Sequence, residues 1–310
     1  MSPAGHSHSH SHGPATATAG HRRALAAVLG ISTAIAIAEV IGAIITGSLV
    51  LLADAAHMAA DAAGVGLSLL ATWFAGRPAT ARRTFGYARA EILAAMANAL
   101  LLLGMAALIF TEAIRRLASP PGVSSTLLIW FGVGALVANA CSLFLLRAGQ
   151  SESLNVRGAF LEVASDTIGA AAVIVTGIII AATGETLADP IASLLVGVLI
   201  LPRTWRLLRE AVDILLEASP QDIDLDEVRG HMVRLPGVRE VHDLHIWTIT
   251  SGLPVFSAHV VVDPEIIERG RSAIMLDQLQ ACLRAHFDVD HSTFQLELAG
   301  HAEHERPMHD

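Results

Sequence analysis

Apolar residues are not spread evenly along this chain: they run in long blocks between Ala24 and Leu216, then give way after Pro220 to a mixture of charged and apolar positions. A helix needs about 20 apolar residues to cross roughly 30 Å of hydrocarbon. Six blocks reach that length, approximately Ala24 to Thr46, Leu49 to Ala75, Glu91 to Ile114, Leu127 to Leu146, Gly158 to Ala182 and Ala188 to Leu208. The sixth is the least regular, because Pro202 and Arg203 interrupt it. An even number of spans places both chain ends on one side of a membrane. Beyond Pro220 the period changes. Asp224 to Leu235 reads as a helix that opens on acidic residues and closes at Pro236-Gly237. Val238 to Thr250 and Leu253 to Val262 alternate like strands around a Ser251-Gly252 turn; Glu265 to Phe287 reads as helix and Ser292 to Leu298 as a strand. An α-β-β-α-β order predicts a small ferredoxin-like α/β sandwich. The fold expected is thus a mainly α membrane protein, a six-transmembrane-helix bundle followed by a cytoplasmic α/β ferredoxin-like domain. The expected boundaries are a His-rich, disordered N-terminus over 1–21, a transmembrane domain over 22–216, the soluble domain over 217–299 and a disordered tail over 300–310.

Composition sharpens this picture. Only 16% of residues are charged against 53% hydrophobic, where a soluble domain is nearer about a quarter charged. Arginines mark one side: Arg22 and Arg23, then Arg77, Arg82, Arg83 and Arg89, then Arg147 and Arg157, then Arg203, Arg206 and Arg209. The positive-inside rule makes that side, and both termini, cytoplasmic. Arg115 and Arg116 fall on the opposite side and contradict it. The net charge of -9, with no Lys at all, excludes a nucleic-acid partner. Cys141 and Cys282 lie in different predicted domains and form no disulfide framework. The opening run His6, His8, His10 and His12, alternating with Ser, is not a signal peptide.

Ionisable groups inside apolar spans cost several kcal/mol, by roughly 3 on insertion scales. The second span nevertheless holds Asp54, His57 and Asp61, and the fifth holds Glu162 and Asp166. His57 with Asp61, and Glu162 with Asp166, stand four residues apart, so each pair occupies one helix face. Two such faces brought together present an imidazole and three carboxylates to one point, a donor set suited to a divalent cation such as Zn²⁺. Without a cation the carboxylates repel one another. The alternative is that each is an interhelical hydrogen bond. Asp54 lies on the same face one turn nearer the start of the span, where it is either a group on the ion's path or a ligand. Glu39, Glu91, Asn98 and Asn139 read as interhelical bonds or cavity lining.

Three strings carry a family resemblance: Ser48 to Asp61 with Asp54 and His57 inside it, Phe85-Gly86-Tyr87-Ala88-Arg89-Ala90-Glu91, and Asn155 to Asp166 with Gly158 and Glu162. Together they resemble the cation diffusion facilitators over about Arg22 to Glu297. The resemblance implies six transmembrane helices, a cytoplasmic ferredoxin-like domain, a homodimer, and export of Zn²⁺ or a similar ion in exchange for protons. It places His57, Asp61, Glu162 and Asp166 on the family's transport site. Many members have His where Glu162 stands; a third carboxylate makes a harder site, open to Cd²⁺, Co²⁺, Mn²⁺ or Fe²⁺. The stretch from Gly76 to Thr84 has no His, and Arg147 to Arg157 is short, so two further metal-binding insertions of some members are missing.

In the soluble part, His242, His245, His259, His291 and Glu297 resemble the family's cytoplasmic metal-binding strands, although Thr293 stands where such members have a carboxylate. A single strand His is more often a surface or hydrogen-bonded residue. The N-terminal His-Ser repeat and His301, His304 and His309 read as solvated segments able to capture ions. The implied partners are divalent metal ions, protons, membrane lipid and a second copy of the chain. No cofactor is expected, Zn²⁺ being substrate and regulator. The rival readings are a membrane-embedded metal-dependent hydrolase, disfavoured because no His-Glu-x-x-His string is present, a passive cation channel, and a metal sensor merely anchored in the membrane.

Overall fold

The computed structural model describes residues 19–149 and 154–301, so His6, His8, His10, His12, His304 and His309 lie outside the described residues. The elements run α1 (Ala19–Thr46), α2 (Leu49–Ala75), α3 (Ala90–Ala118), α4 (Ser125–Leu146), α5 (Leu154–Thr183), α6 (Ala188–Leu215), α7 (Leu225–Val233), β1 (Val238–Thr248), β2 (Pro254–Val262), α8 (Pro264–Glu268), α9 (Ser272–Phe287) and β3 (His291–Glu297). The first six helices are each long and apolar enough to cross a membrane, and most of each apolar window is not buried within the chain. Ile44, Leu108 and Leu199 are each more than 70% exposed. Apolar surface on that scale requires a hydrocarbon surround.

The chain folds as two compact units, one of the residues up to Gly66 with Leu100–Thr204, the other of Leu67–Ala99 with the residues from Trp205 onward. The core of the first is layered. Val28, Leu146, Val156 and Val163 form one layer, Ile35, Met58, Ala135 and Ala170 the next, and Ala43, Leu51, Leu128, Val173 and Ile180 the third. Gly132 sits against Val173 and Ile174, and Gly177 against Ile129, so α4 and α5 approach closely where a side chain would collide. Small residues at such crossings are how helices pack without a hydrophobic driving force between them.

Helix α6 continues through Pro202 as far as Leu215, beyond the sequence-expected end near Leu208. The proline removes the N–H that would bond the Val198 carbonyl, a loss tolerated within a span; two residues on, Thr204 Oγ1 donates to the Ile200 carbonyl at 3.2 Å. Arg116, one of two arginines at odds with the positive-inside pattern, is used internally. It donates to the Gly47 carbonyl at 2.6 Å and lies 3.7 Å from Asp189 and 3.0 Å from Glu112. Asp189, fully buried at the start of α6, accepts from Ser48 Oγ, from Leu49 N at 2.7 Å and from Val50 N at 3.3 Å. It thereby caps the first turn of α2 from a neighbouring helix. Asp189→Ala strips three donors and Arg116 of a buried acceptor, and is expected to cost about 3 kcal/mol. A lower midpoint of thermal unfolding in detergent, with Asp189→Asn intermediate, checks this.

The second unit contains a three-stranded sheet in the order β1-β2-β3, with β1 and β2 antiparallel and β2 and β3 parallel. Gly252, at φ +72°, turns the hairpin. Asp224 opens α7 by accepting from Asp226 N at 2.9 Å. Val228, Met232, Phe256, Met275, Leu279 and Leu283 fill the space between the helices and the sheet. The single helix expected over Glu265 to Phe287 is instead two, α8 and α9, broken at Arg269-Gly270-Arg271, where Gly270 takes φ +66°. A left-handed glycine ends a helix because it meets no Cβ penalty there.

Candidate metal centres

Steps of three and four residues along α2 return to one face, which is why Asp54, His57 and Asp61 share it. His57 Nε2 stands 3.4 Å from Asp61 Oδ2. Glu162 of α5 adds a carboxylate oxygen, and the donor atoms of His57, Asp61 and Glu162 all lie within 4.8 Å of one another. Asp166, one turn further along α5, does not join this trio. It is buried, its Oδ1 has no hydrogen-bond partner, and its charge acts on Asp61. His57 Nδ1 and Asp61 Oδ2 are likewise buried without a hydrogen-bond partner. Buried polar atoms are nearly always satisfied, so unpaired imidazole and carboxylate atoms converging from two helices form a donor set that fits a dication. His57 also borders an apolar recess lined by Ala53, Leu102, Met105, Ala106 and Ile200.

Arg203 of α6 was legible in sequence only as an interruption of the sixth span and a topology marker. In the structure its guanidinium forks onto Glu162, Nη2 to Oε2 at 3.0 Å and Nη1 to Oε1 at 3.4 Å. A bidentate pair is the strongest arrangement these groups form. A cation thus already sits on the trio's one carboxylate from α5, and an incoming metal ion competes with it. The signal was present, since an Arg within an apolar block is itself costly.

Asp54 is buried against α5 at Gly169, where any Cβ would overlap its carboxylate. Glu39 of α1 is 1% exposed, has no hydrogen-bond partner at either oxygen, and interacts electrostatically with Asp54 and Asp166. Asn139 of α4 is buried with Oδ1 unpartnered, as is the Oδ1 of Asn98. Glu91 accepts from Thr250 Oγ1 instead.

The soluble domain forms a second trio. His242 and His259 are directly opposite one another in the β1-β2 register, their rings 5.2 Å apart, while β3 brings Glu297 alongside Val261. Glu297 Oε2 lies 3.2 Å from His242 Nε2 and Oε1 lies 2.8 Å from His259 Nδ1, and Gln295 Nε2 donates to Oε1 at 2.8 Å. His245 and His291, grouped with these three by sequence, are not brought to them. A register shift between His242 and His245 puts Asp243 at φ +46°, where its carboxylate lies 3.0 Å from His245 and 3.6 Å from His259. His291, at the other end of β3, packs edge-on against Phe85 at 5.7 Å. Asp243 is not legible in the sequence because strand alternation alone does not reveal a bulge, and Gln295 because only the β2-β3 register sets it opposite His259.

The family model of the cation efflux transmembrane domain matches residues 25–216, and that of the cation efflux protein cytoplasmic domain matches residues 220–299. The chain belongs to the cation efflux, or cation diffusion facilitator, family. It is 45% identical over 280 residues to the metal cation efflux system protein CzcD of Cupriavidus metallidurans, with 90% of this chain and 88% of the relative covered. Identity to the zinc transporter ZitB of Escherichia coli is 40% over 277 residues, covering 89% and 87%. Identity to the cadmium, cobalt and zinc/H(+)-K(+) antiporter of Bacillus subtilis is 36% over 267 residues, covering 86% and 85%. Among solved structures, the metal-bound C-terminal domain of the Cupriavidus CzcD transporter is 39% identical and matches with a TM-score of 0.22, covering 24% of this chain and 100% of that one. This member of the family is a multi-pass integral membrane efflux transporter of divalent metal cations and not an enzyme, with six spanning helices followed by an α/β cytoplasmic domain.

Proposed function

We propose that this cation efflux protein exports Zn²⁺, and with it Cd²⁺ and Co²⁺, in exchange for protons, by alternating access at His57, Asp61, Glu162 and Asp166. The observation that carries the reading is the convergence of His57, Asp61 and Glu162 within 4.8 Å inside apolar helices. Asp166 completes the set once a rotation of α5 or a rotamer change turns its unpartnered oxygen onto the ion. Imidazole and carboxylates bind metal only when deprotonated, so a proton gradient acting on these side chains drives release on the acidic side. The chain works as a homodimer in the inner membrane with both termini in the cytoplasm. Its transmembrane domain spans 22–216 and its cytoplasmic domain 217–299. His242, His259 and Glu297 form a regulatory zinc site there, with His245 and His291 outside the ligand set. The His-Ser repeat and the tail capture ions weakly.

The test is transport by purified protein in vesicles with a trapped metal dye, assayed in parallel for Zn²⁺, Cd²⁺, Co²⁺, Mn²⁺ and Fe²⁺. An acidic lumen is expected to accelerate uptake of the first three, and an ionophore that collapses the pH gradient to abolish the acceleration. Flux indifferent to the gradient would instead describe a channel.

A further inference from the structure

Among the described residues, one cluster of metal-ligating side chains apart from the two trios above has no place in the transport reading. His231 lies in the last turn of α7, and Cys282 and His286 stand four residues apart on α9. One donor atom from each lies within 4.8 Å of the other two. We propose that His231, Cys282 and His286 form a separate thiolate-containing site in the cytoplasmic domain for a borderline or soft divalent ion, Zn²⁺ or Cd²⁺.

Several features support it. The ligand positions are pinned by the core, because His231 precedes Met232 and Cys282 precedes Leu283, both fully buried. Residues held by packed helices keep a coordination geometry better than loop residues do. His286 Nδ1 lies 2.9 Å from the Cys282 carbonyl. The carbonyl can only accept, so Nδ1 carries the proton and Nε2 is left as the free lone pair, the arrangement by which a second partner sets the tautomer of a metal-binding His. His231 is oriented too: its ring lies 4.6 Å from that of His286, tilted at 50°, and edge-on to Phe287 at 5.4 Å. Its Nε2 lies 3.9 Å from Glu227 Oε1.

The chemistry differs from that of both trios. Neither of those contains sulfur, and each contains at least one carboxylate, whereas this cluster offers one thiolate and two imidazoles. Sulfur moves the preference away from Mn²⁺ and Mg²⁺ and toward Zn²⁺ and Cd²⁺. Three protein ligands leave a fourth position for water or for an exposed carboxylate such as Glu227. His286 is exposed, so an ion reaches the site from water. Burial pushes the Cys282 thiol up from its ordinary value, and the nearby Arg234 only partly offsets this, so binding must displace the thiol proton.

Thiolate ligation has a spectroscopic signature that His and carboxylate sites lack. Co²⁺ added anaerobically to the reduced full-length protein in detergent is expected to produce near-ultraviolet thiolate-to-cobalt charge-transfer absorption that excess Zn²⁺ removes. The absorption should persist in Cys141→Ser, vanish in Cys282→Ser, and need at least about tenfold more Co²⁺ in His231→Ala and in His286→Ala. Absorption that is absent from the reduced protein, that survives Cys282→Ser, or that is indifferent to both His substitutions overturns the site. A measurement on the unsubstituted chain guards against a misfolded variant: Zn²⁺ is expected to slow maleimide labelling of Cys282, read by peptide mass, about tenfold or more. Labelling of Cys282 at an unchanged rate in saturating Zn²⁺ is equally fatal to the proposal.

Discussion

Vesicles carrying Asp61→Ala are expected to accumulate Zn²⁺ no faster than protein-free vesicles. Asp61 Oδ2 is 3.4 Å from His57 Nε2, and an Asp61 carboxylate oxygen lies within 4.8 Å of the Glu162 donor, so Asp61 is the one α2 carboxylate that meets α5 in the trio. Without it, the ion keeps one imidazole, the Asp166 carboxylate and a Glu162 carboxylate already engaged by Arg203, and dehydrating a dication inside apolar helices is no longer fully compensated. Losing even an outer-shell partner of a metal ligand lowers affinity by about 10–100-fold. Removing a charged first ligand is expected to exceed that range, with a loss of more than about 3 kcal/mol of binding. The variant should still bind Zn²⁺ at His242, His259 and Glu297, which shows that the protein is folded. Zinc uptake at the unsubstituted rate would remove the site from the mechanism.

Glu162→His is expected to change which metals are carried and not only how fast. The substitution replaces a hard carboxylate by an imidazole and lowers the negative charge of the trio by one. It also leaves the Arg203 guanidinium, now without its bidentate carboxylate, facing an incoming dication. The single variant should therefore transport every metal more slowly, with the ratio of Zn²⁺ to Mn²⁺ transport raised about tenfold by the softer donor set. Adding Arg203→Gln removes the repulsion, and Zn²⁺ transport should recover while the new ratio remains. If the five-metal ranking in the double variant equals that of the unsubstituted protein, Glu162 does not tune selectivity.

The two variants rest on different kinds of observation. The pairing of His57 with Asp61 follows from their spacing on one helix and needed no coordinates. The engagement of Glu162 by Arg203 joins residues 41 positions apart on α5 and α6, and nothing in the local pattern of either helix announces it. The same contrast recurs in the cytoplasmic domain. The hairpin itself follows from the Ser251-Gly252 turn, which sets His245 opposite Ser257, whereas the opposition of His242 and His259 is decided by the register shift between His242 and His245, and His291 lies at the far end of a parallel strand.

Six spans, the change of period after Pro220, the hairpin, and the pairing of ionisable residues at i and i+4 were all determined by the sequence alone, because each depends on hydrophobic periodicity or on helix and turn geometry over a few residues. The tertiary structure alone decided that Asp166 stands apart from the trio, that Arg203 occupies Glu162, that Asp189 caps α2, and that His231 meets Cys282 and His286. These depend on the rotation and depth at which whole helices pack, which are set by the summed fit of side chains such as Gly132 against Ile174 or Gly169 against Asp54. A residue's neighbours along its own helix are fixed by the 3.6-residue turn, but its neighbours across the helix interface are fixed only when every other contact in that interface has been satisfied.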